Sequence, residues 1–241
     1  IVSRGGEPIF IRNLIKKYHI SSAIHVPVNW DSGAFIYNKF RNCKHSTKAY
    51  ELLYDLINKY MKIQDFKDKF ISDNEIFYYP QTIIDNYKSN IVFDKTVTIE
   101  WRKVWPKGRK GQQRILANGP ELADKLASIL PKNILIRLVD TASLSIAEQI
   151  SIMKKTDYLV GIHGAGLCLS TFMSQKSILH EVLPRKDMTV LTLMSALSGH
   201  VTYSDIIRYK MNKDDGNENI IFKPEIFANR VLNHMLENGL L

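Results

Sequence analysis

From Thr96 onward, short apolar and β-branched runs alternate with longer stretches that carry apolar residues at helical spacing. The short runs are Thr96–Trp101, Ile134–Val139, Tyr158–Ile162, Ser177–Leu183 and His200–Tyr203. A strand that is apolar on both faces needs cover on both sides, and parallel strands need long, usually helical, crossovers. The alternation therefore predicts an α/β fold with a parallel sheet between helices. The helical stretches carry their own signals. Pro120–Leu130 places Leu122, Leu126 and Ile129 on one face, with Pro120 where a first turn accepts it. Ser145 and Glu148 have capping-box spacing ahead of a face formed by Ile146, Ile150 and Met153. Met188–Leu197 is closed by Gly199, and a last helix, Pro224–Glu237, follows a polar loop at Asn212–Asn219. Residues 96–241 are expected to form a Rossmann-like domain.

The first 95 residues alternate less regularly. Phe10–Tyr18 and Ser46–Met61 have helical character, Ser22–Val28 and Ile76–Tyr79 are strand-like, and Ile63–Asn74 is charged. This predicts a smaller α/β domain over residues 1–95. The chain of 241 residues has room for one large domain or two small ones.

The densest functional signal lies between two apolar runs. Tyr158–Ile162 leads into His163-Gly164-Ala165-Gly166, and the run Ser177–Leu183 carries one acid, Glu181. A strand that ends in a glycine-containing turn and reopens as a helix aims backbone N–H groups at its ligand. The helix N-terminus adds positive character, and glycine lets a phosphate approach. An acid at the end of the following strand suits ribose hydroxyls. Gly164, Ala165, Gly166 and Glu181 are thus candidate nucleotide-binding residues. From Gly161 the order is G-x-x-G-x-G, which is not the dinucleotide fingerprint G-x-G-x-x-G. His163 has two readings. It is either a turn histidine bonded to nearby backbone, or a donor to phosphate or sugar that could also act as a base near neutral pH.

A second signal is the loop Arg102–Arg114, RKVWPKGRKGQQR, rich in basic residues and glycine and without an acid. It follows a strand expected in a parallel sheet, whose carboxyl ends bind ligands. Arg102, Arg109 and Arg114 are candidate diphosphate clamps, because a guanidinium fork matches phosphate oxygens. Charge alone is equally what a solvated basic loop would show. Asp31, in NWDSG after Ser22–Val28, is a candidate base for an acceptor hydroxyl, with His25 as its rival and a plain turn as the alternative. Asp214-Asp215 lies in a loop and gives no metal motif, and Cys43 and Cys168 form no ligand set or disulfide framework.

Four segments in order, VTIEWRK, RILANGPELADKL, the helix running into GIHGAGL, and HEVLP, make residues 96–184 resemble glycosyltransferase family 61. That family includes protein N-acetylglucosaminyltransferases and plant xylosyltransferases. IHVPVNWDS is similar to a strand ending in Trp-Asp-Ser or Trp-Asp-Thr in one member. The resemblance implies a GT-B architecture and an inverting transfer of N-acetylglucosamine or xylose from a UDP-sugar to a hydroxyl of a glycoprotein or glycan. It also implies that Arg102, Arg114 and Glu181 lie at the nucleotide and that the protein works in the Golgi or endoplasmic reticulum lumen. In that setting His163 is expected to position the ligand, since the nucleotide half faces the leaving group, and fixed cations with a helix dipole on the diphosphate leave no metal cofactor required. A two-domain enzyme of this kind usually needs more chain, so the first domain is expected to be minimal or truncated.

A net charge of +9 and a pI near 9.4 suit an anionic partner of any kind. The rival readings are a nucleic-acid-binding module built on the 102–114 loop with Trp105 for stacking, and an inactive glycosyltransferase-like protein. The first explains the charge but neither the HGAG turn nor Glu181. No apolar run approaches the roughly 18 residues of a membrane span. The absence of an N-x-S/T sequence disfavours heavy N-glycosylation without deciding the compartment, and cytoplasm stays open.

Overall fold

The computed structural model describes residues 76–101, 114–183, 199–207 and 218–241. They form a mixed α/β unit around a six-stranded, mostly parallel sheet. In chain order the elements are β1 (Phe77–Tyr78), α1 (Gln81–Lys88), β2 (Lys95–Glu100), β3 (Arg114–Leu116), α2 (Gly119–Ile129), β4 (Ile134–Val139), α3 (Ile146–Lys154), β5 (Tyr158–Ile162), β6 (Ile178–Leu183), β7 (Val201–Ile206), β8 (Glu218–Ile220) and α4 (Pro224–Glu237). A short 3-10 turn, Thr141–Ser143, follows β4, and a longer 3-10 helix, Ala165–Phe172, follows β5.

Spatially the sheet runs β1-β4-β2-β5-β6-β7, with only β1 antiparallel. The five parallel strands therefore stand in the order second, first, third, fourth, fifth. The chain reverses its direction of growth between β2 and β5, and the crevice at the carboxyl ends of two such strands is where open α/β sheets take ligands. Every residue of β4, β5 and β6 is buried, the burial that their apolar composition requires. Ile99, Ile136, Leu138, Leu159 and Ile178 are among those at or near zero exposure, each contributing roughly 1.5–3 kcal/mol.

Phe77–Tyr78, N-terminal to the expected division at residue 96, supplies the edge strand beside β4. Helix α3 opens on the expected capping box. Ser145 Oγ accepts from the Glu148 N–H at 3.4 Å, and the Ser145 N–H donates to Glu148 Oε2 at 2.8 Å. Its buried side is Ile150, Ile152 and Met153, while Ile146 is exposed and not part of that face. Arg137, fully buried in β4, donates to Thr98 Oγ1 at 3.1 Å and to the Ile152 carbonyl at 3.0 Å, so its desolvated charge keeps hydrogen-bond acceptors.

Two sequence expectations need correction, and two elements were not expected. The segment after HGAG is a 3-10 helix, because Leu167 packs into a gap at Gly161 and draws the turn down onto the sheet. The end of the expected polar loop is strand β8, which pairs with β3, itself unexpected, as a separate two-stranded sheet. Asn118 fastens this region: its Nδ2 donates to the Phe222 carbonyl at 2.7 Å, and its Oδ1 accepts from the Phe222 N–H at 3.2 Å. Helix α1, also unexpected, buries Ile83 alone, too little for a visible apolar periodicity. The helix expected at Met188–Leu197 lies outside the described residues.

Candidate functional site

The carboxyl ends of β2, β5 and β6 bring three chemically active side chains together. Strand β5 ends at Ile162, but the His163 N–H still donates to the Val182 carbonyl at 2.8 Å. His163 is thereby held in register with β6. Its Nδ1 lies 2.5 Å from Glu181 Oε1, with the imidazole 6 % exposed and Glu181 at 0 %. An ionised carboxylate can only accept, so the Nδ1–H points at Glu181 and Nε2 is the nitrogen turned away from it, toward a ligand. A buried carboxylate orienting an imidazole in this way is the arrangement that readies a histidine for hydrogen bonding or proton transfer at its other nitrogen.

Arg114, at the start of β3, donates from Nη1 to the His163 carbonyl at 2.7 Å. The predicted diphosphate clamp thus braces the turn backbone. A guanidinium carries five N–H donors, so this bond and a phosphate contact can coexist. Gly164 is extended (φ 170°, ψ 174°), and its carbonyl accepts from the Leu167 N–H at 3.1 Å, closing the turn. Ala165 begins the 3-10 helix beside it.

Glu100, the last residue of β2, was not singled out from the sequence. It is 4 % exposed, and its Oε1 accepts from Thr141 Oγ1 at 3.3 Å. A Cβ on Gly166 would overlap the Glu100 carboxylate, so this glycine has a reason for its bare backbone besides the approach of a ligand. The signal was present in the sequence. Glu100 ends an apolar strand as Glu181 nearly does, and Arg102 follows it. Asp140 buries its carboxylate at the neighbouring strand end, accepting from the Ala142 N–H at 3.2 Å and from Ser143 Oγ at 2.9 Å.

The structure therefore brings together His163, Gly164, Gly166, Glu181 and Arg114. Arg102, Arg109, Asp31, His25 and Cys43 lie outside the described residues. Among the described residues no three His, Cys, Asp or Glu side chains are grouped to hold a metal ion, and no helix is long and apolar enough to cross a membrane. An open depression of about 500 Å³ lies at the opposite end of the sheet, lined by Tyr87, Phe93, Thr96, Leu135, Lys155 and Asp157. It sits at the amino ends of the strands and touches none of the residues above, so it is set aside as a ligand site for this chemistry.

A second polar cluster joins β5, β6, β7 and α4. Tyr158 Oη lies 2.9 Å from His180 Nδ1 and 2.8 Å from His234 Nδ1, and His180 Nε2 lies 2.8 Å from Asp205 Oδ2. Arg230 Nη1 donates to the other Asp205 oxygen. Burial pushes the Asp205 carboxyl up, but the bonds from His180 and Arg230 and their charges outweigh it and hold it at about 2. Burial, reinforced by repulsion from His180, brings His234 down to about 4 against the opposing pull of Asp205 and Glu237. Burial raises Tyr158 well above the ordinary phenol range.

Comparison with known proteins agrees with the resemblance read from the motifs. The family model described as Glycosyltransferase 61 matches residues 12–180, more than half of the chain. Among curated proteins, none matches the chain significantly.

Proposed function

The chain belongs to glycosyltransferase family 61, and from that membership we propose an inverting transferase that moves N-acetylglucosamine or xylose from a UDP-sugar to a hydroxyl of a glycoprotein or glycan. Glycosyl transfer is the activity class that the family carries. Its donor, acceptor and stereochemistry are our reading. In it the acceptor oxygen attacks the anomeric carbon as the bond from that carbon to the diphosphate oxygen breaks. The acceptor proton passes to a base and UDP departs with the bonding pair. The six-stranded sheet serves as the nucleotide half of a GT-B pair, and the chain before it supplies the acceptor side with Asp31 as the base. Arg102, Arg114 and the N–H groups of the Gly164-Ala165-Gly166 turn stabilise charge on the leaving diphosphate, a role that needs no metal.

The observation that carries the reading is the His163–Glu181 pair at the carboxyl edge, beside the switch between β2 and β5. His163 Nε2 faces the donor, and Glu181, wholly buried, acts through His163 by fixing its tautomer and orientation. The family supports a lumenal, secretory-pathway setting.

A thermal-shift panel of nucleoside diphosphates tests this reading. UDP should raise the melting temperature, and keep doing so at high salt. A nucleic-acid module would instead ignore UDP and bind single strands with steep salt dependence. UDP binding without product from any UDP-sugar would point to an inactive relative.

A further inference from the structure

We propose that Glu100 is a positioning residue of this site, whose carboxylate, seated against Gly166 and held by Thr141, locks the turn carrying His163 and keeps His163 on Glu181. That turn is fixed from three directions. Strand β6 holds it through the Val182 carbonyl and Glu181, and β3 holds it through Arg114 and the His163 carbonyl. The third direction is β2. There Glu100 fills the space that a Gly166 side chain would need, and Leu167 fills the space above Gly161.

The register makes this a designed fit. Gly161 pairs with Glu181 on β6, and a Cβ at Gly161 would come within 3.0 Å of Glu100 Cβ and 2.7 Å of Leu167 Cδ2. One glycine position thus lies between two buried glutamates, two strand spacings or roughly 10 Å apart. Both Gly161 and Gly166 are sites where a side chain would collide with this packing. A carboxylate is a costly filler for a buried gap, and an apolar side chain would pack against two glycines at lower cost. What the carboxylate adds is the bond from Thr141, which ties the turn after β4 to the end of β2. Packed against Gly166, Glu100 therefore joins the end of β2 and the turns after β4 and β5 into one platform under His163.

The test uses the whole chain and two readouts. The first needs no ligand: the His163 Nδ1 proton, held in the 2.5 Å bond to Glu181, gives a downfield proton resonance, assigned by its loss in His163→Gln. The second is UDP affinity by calorimetry, which rests on the proposed function. Glu100→Gln keeps shape and the acceptor for Thr141, so it should retain the resonance and bind UDP within about threefold of the parent. Glu100→Ala should lose the resonance and weaken UDP by about tenfold or more, one hydrogen bond's worth. Gly166→Ala should melt well below the parent, and Glu100→Ala/Gly166→Ala should recover part of that loss. The proposal is overturned if folded Glu100→Ala keeps both the resonance and UDP affinity, or if the double variant melts no higher than Gly166→Ala. Should Glu100→Ala fail to fold, Glu100→Gln and the double variant still decide. A parent protein that ignores UDP would sink the functional reading alone, and the resonance would still judge Glu100.

Discussion

Tyr158→Phe removes one oxygen from the centre of the β5–β6–α4 cluster, and its cost follows from the direction of the hydrogen bonds. Asp205, held at about 2, is ionised and can only accept, so the proton of His180 sits on Nε2. The Tyr158 hydroxyl lies 2.9 Å from His180 Nδ1 and 2.8 Å from His234 Nδ1, so it serves one ring nitrogen as donor and the other as acceptor. Phenylalanine keeps the ring packing of Tyr158 with His180 and His234 but leaves two ring nitrogens without their partner. His234 is partly exposed and turns to water at little cost. His180 is at 0 % exposure and cannot. One buried nitrogen left unsatisfied costs about 1–3 kcal/mol. For a folded unit of this size each kcal/mol lowers the melting temperature by roughly 2–4 °C. Urea unfolding should show the midpoint falling with an unchanged slope. Tyr203→Phe is the control, since that hydroxyl bonds Glu237 and Asn238 near the surface and should cost under about 0.5 kcal/mol. Equal stability of Tyr158→Phe and the parent would refute the relay.

The same cluster makes the protein acid-labile. His234 titrates at about 4 when folded against 6.5 unfolded, so the unfolded chain binds more protons and stability falls as pH drops from about 6.5 to 4. Asp205 adds a loss from about 3.8 to 2, where its folded-state advantage disappears. Discounted for its solvent exposure, the His234 contribution is about 1–2 kcal/mol, and His234→Gln should flatten stability between pH 6.5 and 4 in a denaturant series. Glu181→Gln should weaken UDP and pyrophosphate alike, by about tenfold, because a neutral acceptor orients His163 less well. A loss confined to UDP would instead put Glu181 directly on the ribose. Arg114→Lys should also weaken UDP about tenfold in calorimetry, since an ammonium cannot brace the His163 carbonyl and reach a phosphate together. Ser145→Ala should lower stability by about 1 kcal/mol through the lost cap of α3, with UDP affinity unchanged.

Where local pattern and tertiary demand coincide, the fold was legible. Strands β4 and β5 match their mostly apolar runs residue for residue, because a strand buried on both faces is apolar except where a buried polar group such as Arg137 finds its own partners. Helix α4 was readable because Phe227, Val231 and Met235 recur at helical spacing behind Pro224. Strands β3 and β8 were not, since three residues each leave no periodicity and their pairing spans more than a hundred positions. At the site, the HGAG turn and Glu181 announced themselves as a strand-end turn and an acid in an apolar run. Their direct bond did not, because it depends on the β5–β6 register that sets Gly161 beside Glu181. Glu100 stayed hidden for the same reason: its partner glycine is 66 positions away and is recognisable only in three dimensions.

The central claim is that this sheet edge binds a sugar nucleotide through His163 and releases UDP from it. The measurement that tests it most directly is UDP release from UDP-N-acetylglucosamine and UDP-xylose, with water as the acceptor, by the parent protein and by folded His163→Ala. The account predicts release from one of the two donors by the parent and a rate about 100- to 1,000-fold lower in the variant, the usual loss for one well-aimed donor to developing charge. Release at equal rates by both proteins, or none by a parent that binds UDP, would contradict it.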